Sequence, residues 1–260
     1  MDNLSKSTLP HLLPKTLNLA LTYPKTLTTL LALGTPTIYF LRLHRQLSRK
    51  IQHSRRTGSL SSLPLTTNVR SIPAGTLTSP TRAVYDTATL SLPASSLPSE
   101  HELPAEQLLT HYLRRNMQNF SWFPQARLLR LTSRTAAEKQ TFETGYLQRA
   151  GFREGELICG IYTVVGRRGG VVEFELKPTG AMRGRLVISV ERRGEGGDGE
   201  VVFGSETVMW KGEGEKGVLP LEVGLLRFLH EMAAWWLLVS GTGWLVENAG
   251  RLEKGPSLNL

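Results

Sequence analysis

Cysteine is nearly absent from this chain: Cys159 is the single thiol in 260 residues. An internal disulfide is therefore excluded, and no set of Cys and His residues has the spacing of a zinc motif. Acidic residues are missing altogether between Asp2 and Asp86, an interval that holds eleven Lys and Arg. The net charge of +9 thus belongs to the front of the chain, because from Asp86 onward twenty Lys and Arg face twenty-one Asp and Glu. A globular part so close to neutrality lacks the basic surface that nucleic-acid binding draws on. Internal repeats are lacking as well. What remains after Asp86 is long enough for one domain with a real core.

The front of the chain divides into a basic leader, 1–56, and a stretch dense in Ser, Thr, Pro and Gly, 57–100, that reads as a linker with one candidate strand at 82–92. Within the leader, "TLTTLLALGTPTIYFL" (26–41) carries no charge and is followed closely by Arg42, Arg45, Arg49, Lys50, Arg55 and Arg56. Three readings stay open, the plainest of them a disordered basic tail with one apolar patch. A transmembrane helix over 26–43 makes a single-pass membrane protein, and the cations that follow it put the C-terminal domain on the cytoplasmic side. A basic, acid-free, Ser-rich leader also has the composition of a mitochondrial transit peptide.

Residues 101–250 read as an α+β domain, followed by a tail at 251–260. Pro104 opens a helix in which Leu108, Leu109, Tyr112, Leu113 and Met117 recur at helical spacing. Ser133 is a candidate cap for the next helix, through Ala150. The period then changes. Segments 156–165, 171–176, 184–193 and 201–210 read as strands joined by short turns, and the first, apolar on both faces, reads as a central strand. Short connections make an antiparallel meander of four to five strands. A long C-terminal helix follows whose polar residues are few, so most of its surface must be covered. A sheet curled over such a helix is the plan of helix-grip and hot-dog domains, a likeness of fold that carries no activity.

The stretch "LLTHYLRRNMQNFSWFPQARLLR", followed by "F…GYL…F..GELICGIYTVV" and "GEVVFGSETVMW", resembles a family of uncharacterised fungal proteins that combine an N-terminal apolar segment, a linker and a domain ending in an apolar helix. The resemblance covers about Ala83 to Trp244. It brings no catalytic residues with it. Some similar members accompany specialised-metabolite genes, which implies a role near apolar small molecules.

Candidate chemistry is sparse. Glu206 shares a strand face with Val208 and Trp210, and a carboxylate on a core face is a candidate catalytic group. His111 and His230, each on a helix, are candidate general bases. Tyr162, Trp235 and Trp236 are candidate ligand contacts. Glu173 and Glu175 share the outer face of their strand and read as its solvated side. Cys159 reads as a core thiol in the central strand. The aromatic residues Phe120, Trp122 and Phe123 read as the packing of a helix corner. No metal or other cofactor is implied. The partners expected are a membrane and an apolar small molecule, with nucleic acid excluded. Two functions follow: a membrane-tethered binding or cyclase/isomerase-like protein for an apolar metabolite, or a non-enzymatic membrane or mitochondrial assembly protein.

Overall fold

The computed structural model describes residues 38–78, 80–178, 180, 182–194, 199–212, 215 and 217–252. Most of the expected membrane segment, 26–43, and most of the tail lie outside the described residues. Two compact units divide the chain, Met1–Gln46 and Leu47–Leu260. A helix, α1, is described over 38–48.

The second unit is built on one seven-stranded sheet. Its strands are β1 (Gln52–Ser59), β2 (Arg82–Pro93), β3 (Leu157–Ile158), β4 (Tyr162–Arg168), β5 (Val171–Leu176), β6 (Met182–Arg193) and β7 (Glu200–Lys211). Their order is β1-β2-β7-β6-β5-β4-β3, and every pair is antiparallel. Strands β3 to β7 form the expected meander, and β7 then closes onto β2. The α+β class is as the sequence reads, but the strand number is seven, not four to five. The two additions are β1, which lies where the sequence reads as leader and linker, and the short β3.

The helices are α2 (Ala74–Leu77), α3 (Ala105–Ser121), α4 (Pro124–Thr132), α5 (Ala136–Gln140), α6 (Thr144–Arg149), α7 (Gly224–Glu247) and α8 (Ala249–Leu252). Thr135, rather than Ser133, caps α5: its hydroxyl accepts from the Glu138 N–H at 3.1 Å.

Two layers cover the sheet. Helices α3 and α7 lie on one face and cross at Gly241. A Cβ there would stand 2.3 Å from Asn116 Oδ1 and 2.7 Å from the Tyr112 ring, so only glycine allows this approach. Residues 60–78, which join β1 to β2, cover the other face. Leu60 and Ile72 are buried there with Ala83, Tyr85, Val208 and Trp210, and Leu63, Leu65, Val69 and Leu77 pack against them. This segment is structural cover rather than linker, so both faces of the central strands are buried, and the charged side chains on the face it covers, Glu173, Arg185 and Glu206, are buried with them. Helix α7 runs 24 residues, yet among the described residues no helix is long and apolar enough to cross a membrane.

The segment 156–165 also departs from expectation. It is a hairpin at the end of the sheet, not a central strand. Cys159 sits in its turn with a positive φ of 48°, and burial pushes its thiol up to about 12.

Candidate functional site

Between α3, α4, α7 and strands β4, β6 and β7 lies a cavity of about 360 Å³. Its wall is mostly apolar, with Met117, Phe120, Leu186, Ile188, Met209 and Leu237 among its residues. Few polar side chains reach it, His230 and Tyr162 among them. The volume lies at the small end of the range for ligand pockets, and an apolar wall with few polar groups is their usual composition.

A charged cluster adjoins the cavity through His230. The β1–β2 register sets Arg55 opposite Asp86 and His53 opposite Ala88, so His53, Arg55 and Asp86 share the sheet face that α7 covers. Asp86 is only 4 % exposed. One of its oxygens, Oδ1, lies 2.8 Å from His53 Nε2, and the other, Oδ2, lies 3.5 Å from His230 Nε2. The second contact does not have hydrogen-bond geometry, and His230 Nε2 is buried without a hydrogen-bond partner. Burial favours the protonated Asp86 carboxyl, but the two imidazoles outweigh it and hold the group below the ordinary carboxylate range. The bond to Asp86 raises His53 in turn. Arg55 and Arg227 stand 4.0 and 3.9 Å from Glu231 Oε1. Among the described residues, His53, Asp86 and Glu231 each offer a ligand atom within 4.8 Å of the others, a donor set that a metal ion could use.

Of the candidates read from sequence, His230 and Tyr162 line the cavity. Trp235 is buried with its ring edge-on to His53, centroids 5.0 Å apart, and packs behind the cluster rather than in the cavity wall. Trp236 packs on Phe123 at 5.4 Å. His111 is half-buried on α3; burial, with a contribution from Arg114, lowers its imidazole below the ordinary value.

Glu206 lies on the opposite face of the sheet, away from the cavity. It accepts from Tyr85 Oη at 2.6 Å and from Thr66 Oγ1 at 2.7 Å, and so fastens the covering segment. Glu173 does the same. It is wholly buried, not solvated, because 60–78 covers its face. Its carboxylate accepts from the Arg70 and Ser71 N–H groups and from Ser71 Oγ at 2.8 Å. Arg185 bonds Ser71 Oγ at 2.6 Å and Glu175 at 2.9 Å. Phe120 and Phe123 do meet at the helix corner, 6.0 Å apart. Trp122, however, is 65 % exposed, with the Arg127 guanidinium over its ring at 4.7 Å.

Sequence reasoning missed His53 and Asp86. His53 stands in the basic leader, and Asp86 marked only the end of the acid-free interval. Neither adjoins its partners in sequence, so no spacing signal existed.

No protein-family model and no curated protein sequence matches the chain. Among solved structures, CalU16 from Micromonospora echinospora matches at 14% identity over 78% of this chain and 99% of that one, with a TM-score of 0.29. A likeness of that size defines neither fold nor activity.

Proposed function

We propose that the protein binds an apolar small molecule in the cavity between α3, α7 and the sheet, in the manner of a helix-grip domain. The observation that carries this reading is the cavity wall itself: an apolar lining that includes one imidazole, His230, backed by the buried Asp86 carboxylate. Such an imidazole can orient a polar group of the ligand or move a proton on it, the chemistry of a cyclase or isomerase. The resemblance to the fungal proteins supports a specialised metabolite as the ligand. A membrane tether over 26–43, with the domain on the cytoplasmic side, belongs to the same proposal. A mitochondrial transit peptide is the alternative reading of the same leader.

The test is titration of the protein with the apolar fluorophore N-phenyl-1-naphthylamine, beside native mass spectrometry of the protein from its host. Saturable binding is expected, weakened about tenfold or more in Ala234→Phe, which fills the cavity. Equal binding by a variant with an unchanged melting temperature would overturn the reading.

One observation favours the assembly-protein reading. Val218, Val223, Leu225, Leu226 and Leu229 are exposed large apolar residues along the approach to α7 and its first two turns. Sedimentation with lipid vesicles that is lost in Leu225→Ser, with no fluorophore binding in the parent chain, would favour that reading instead.

A further inference from the structure

We propose that His53, Asp86 and Glu231 form a binding site for a divalent transition-metal ion in the charged cluster that adjoins the cavity through His230. The argument begins with placement. The three side chains come from β1, β2 and α7, elements far apart in sequence, and converge on the face of the sheet that α7 covers. Their ligand atoms lie within 4.8 Å of one another. An ion with bonds of about 2.1 Å to each needs donor separations of about 3.4 Å, so shifts of under about 1 Å per side chain close the site. His53 and Asp86 already meet at 2.8 Å. His53 coordinates through Nε2 as the neutral ring, with its proton on Nδ1.

The donor chemistry narrows the ion. One imidazole and two carboxylates suit zinc, manganese, iron(II) or cobalt(II); the imidazole disfavours calcium and magnesium, and the lack of a thiolate disfavours copper(I). Cys159 belongs to the β3–β4 turn and has no part in the cluster. Arg55 and Arg227 compete for the charge of Glu231, which selects further against a weakly held hard ion. Outer support is present too. His230 Nε2 lies 3.5 Å from the Asp86 oxygen that faces away from His53, so a shift of a few tenths of an ångström would bring a second imidazole into hydrogen bond with a ligating carboxylate. His230 lines the cavity whereas the three ligand residues stand behind it, so the ion would act on a cavity ligand only through Asp86 and His230.

The site also gives a reason for the burial of Asp86. A carboxylate that is 4 % exposed needs positive charge nearby. His53 and His230 flank it, and a divalent ion would add to the positive charge they bring.

The experiment is calorimetric titration of zinc chloride into the full chain after EDTA treatment, repeated with cobalt(II) while its visible absorption is followed. One ion per chain is expected. Binding should weaken at least about tenfold in both His53→Ala and Glu231→Gln, with loss of the cobalt absorption, and stay unchanged in His111→Ala. Glu231→Gln is nearly isosteric, so it decides the matter if His53→Ala fails to fold. No saturable binding to the parent chain, or undiminished binding by Glu231→Gln, would overturn the site. The ion is read without any organic ligand, so failure here leaves the cavity reading standing.

Discussion

Three histidines show how much position decides. His53 and His230 flank one carboxylate, whereas His111 has burial and the Arg114 guanidinium against it, and both disfavour its charged form. The sign of its contribution follows. With a folded-state value below 6.5, the unfolded chain binds the proton more readily, so stability falls as pH drops below 6.5 toward the folded value. His111→Leu removes that term. The melting temperature of the variant is therefore expected to decline less between neutral and mildly acid pH than that of the parent. Parallel declines in differential scanning fluorimetry would show that His111 is solvated in both forms. Legibility at this scale was partial. His230 was visible because it interrupts an apolar helix, and Tyr162 because it stands in an apolar strand. His53 was not, because a histidine among Ser and Arg in an acid-free stretch has no apolar periodicity around it.

At the scale of elements, the connection 60–78 separates sequence pattern from structural role. Its Ser, Thr, Pro and Gly content follows from lack of regular structure, not from lack of packing. Two buried carboxylates hold it down, Glu206 through the side chains of Thr66 and Asn68 and Glu173 through the main chain. Glu173 is 0 % exposed and accepts from two main-chain N–H groups of the segment, whereas Glu175, two residues on, is a half-exposed partner of Arg185. Truncating Glu173 leaves buried donors unpaired and costs about 3–5 kcal/mol, whereas Glu175 is itself 39 % exposed and the buried Arg185 it pairs with keeps Ser71 Oγ, Ser71 O and Gly184 O as partners. Glu173→Ala is expected to lose several-fold more stability than Glu175→Ala in urea denaturation. Equal losses would show that the segment is held by its leucines alone. The strands of the meander were legible because alternation and turn residues mark them locally. The depth of Glu173 was not. It depends on a segment that lies a hundred residues away and carries no pattern of its own.

At the scale of the molecule, the boundary of the fold is the remaining question, and the charge break at Asp86 points to the wrong place. Charge ends there because β2 enters the core, but β2 is an interior strand with β1 on its far edge. A chain beginning at Ala83 would lose β1 with His53, and the whole cover of one sheet face. Tyr85, Val208 and Trp210, each now under 5 % exposed, would open to water. Glu206 would lose Thr66 and Asn68, and Glu173 the N–H groups of Arg70 and Ser71. Each uncovered aromatic or aliphatic side chain forfeits about 1.5–3 kcal/mol. Over Tyr85, Val208 and Trp210 that is about 4.5–9 kcal/mol, before the losses at Glu206 and Glu173, against the roughly 5–15 kcal/mol that holds an ordinary domain together. A chain beginning at Leu47, where the compact unit starts, keeps every one of these contacts. It is expected to melt cooperatively by circular dichroism, with a midpoint close to that of the full chain. The chain beginning at Ala83 is expected to show no cooperative transition. If both melt alike, residues 47–82 are an appendage after all, and the cover they lay on the sheet contributes little to stability.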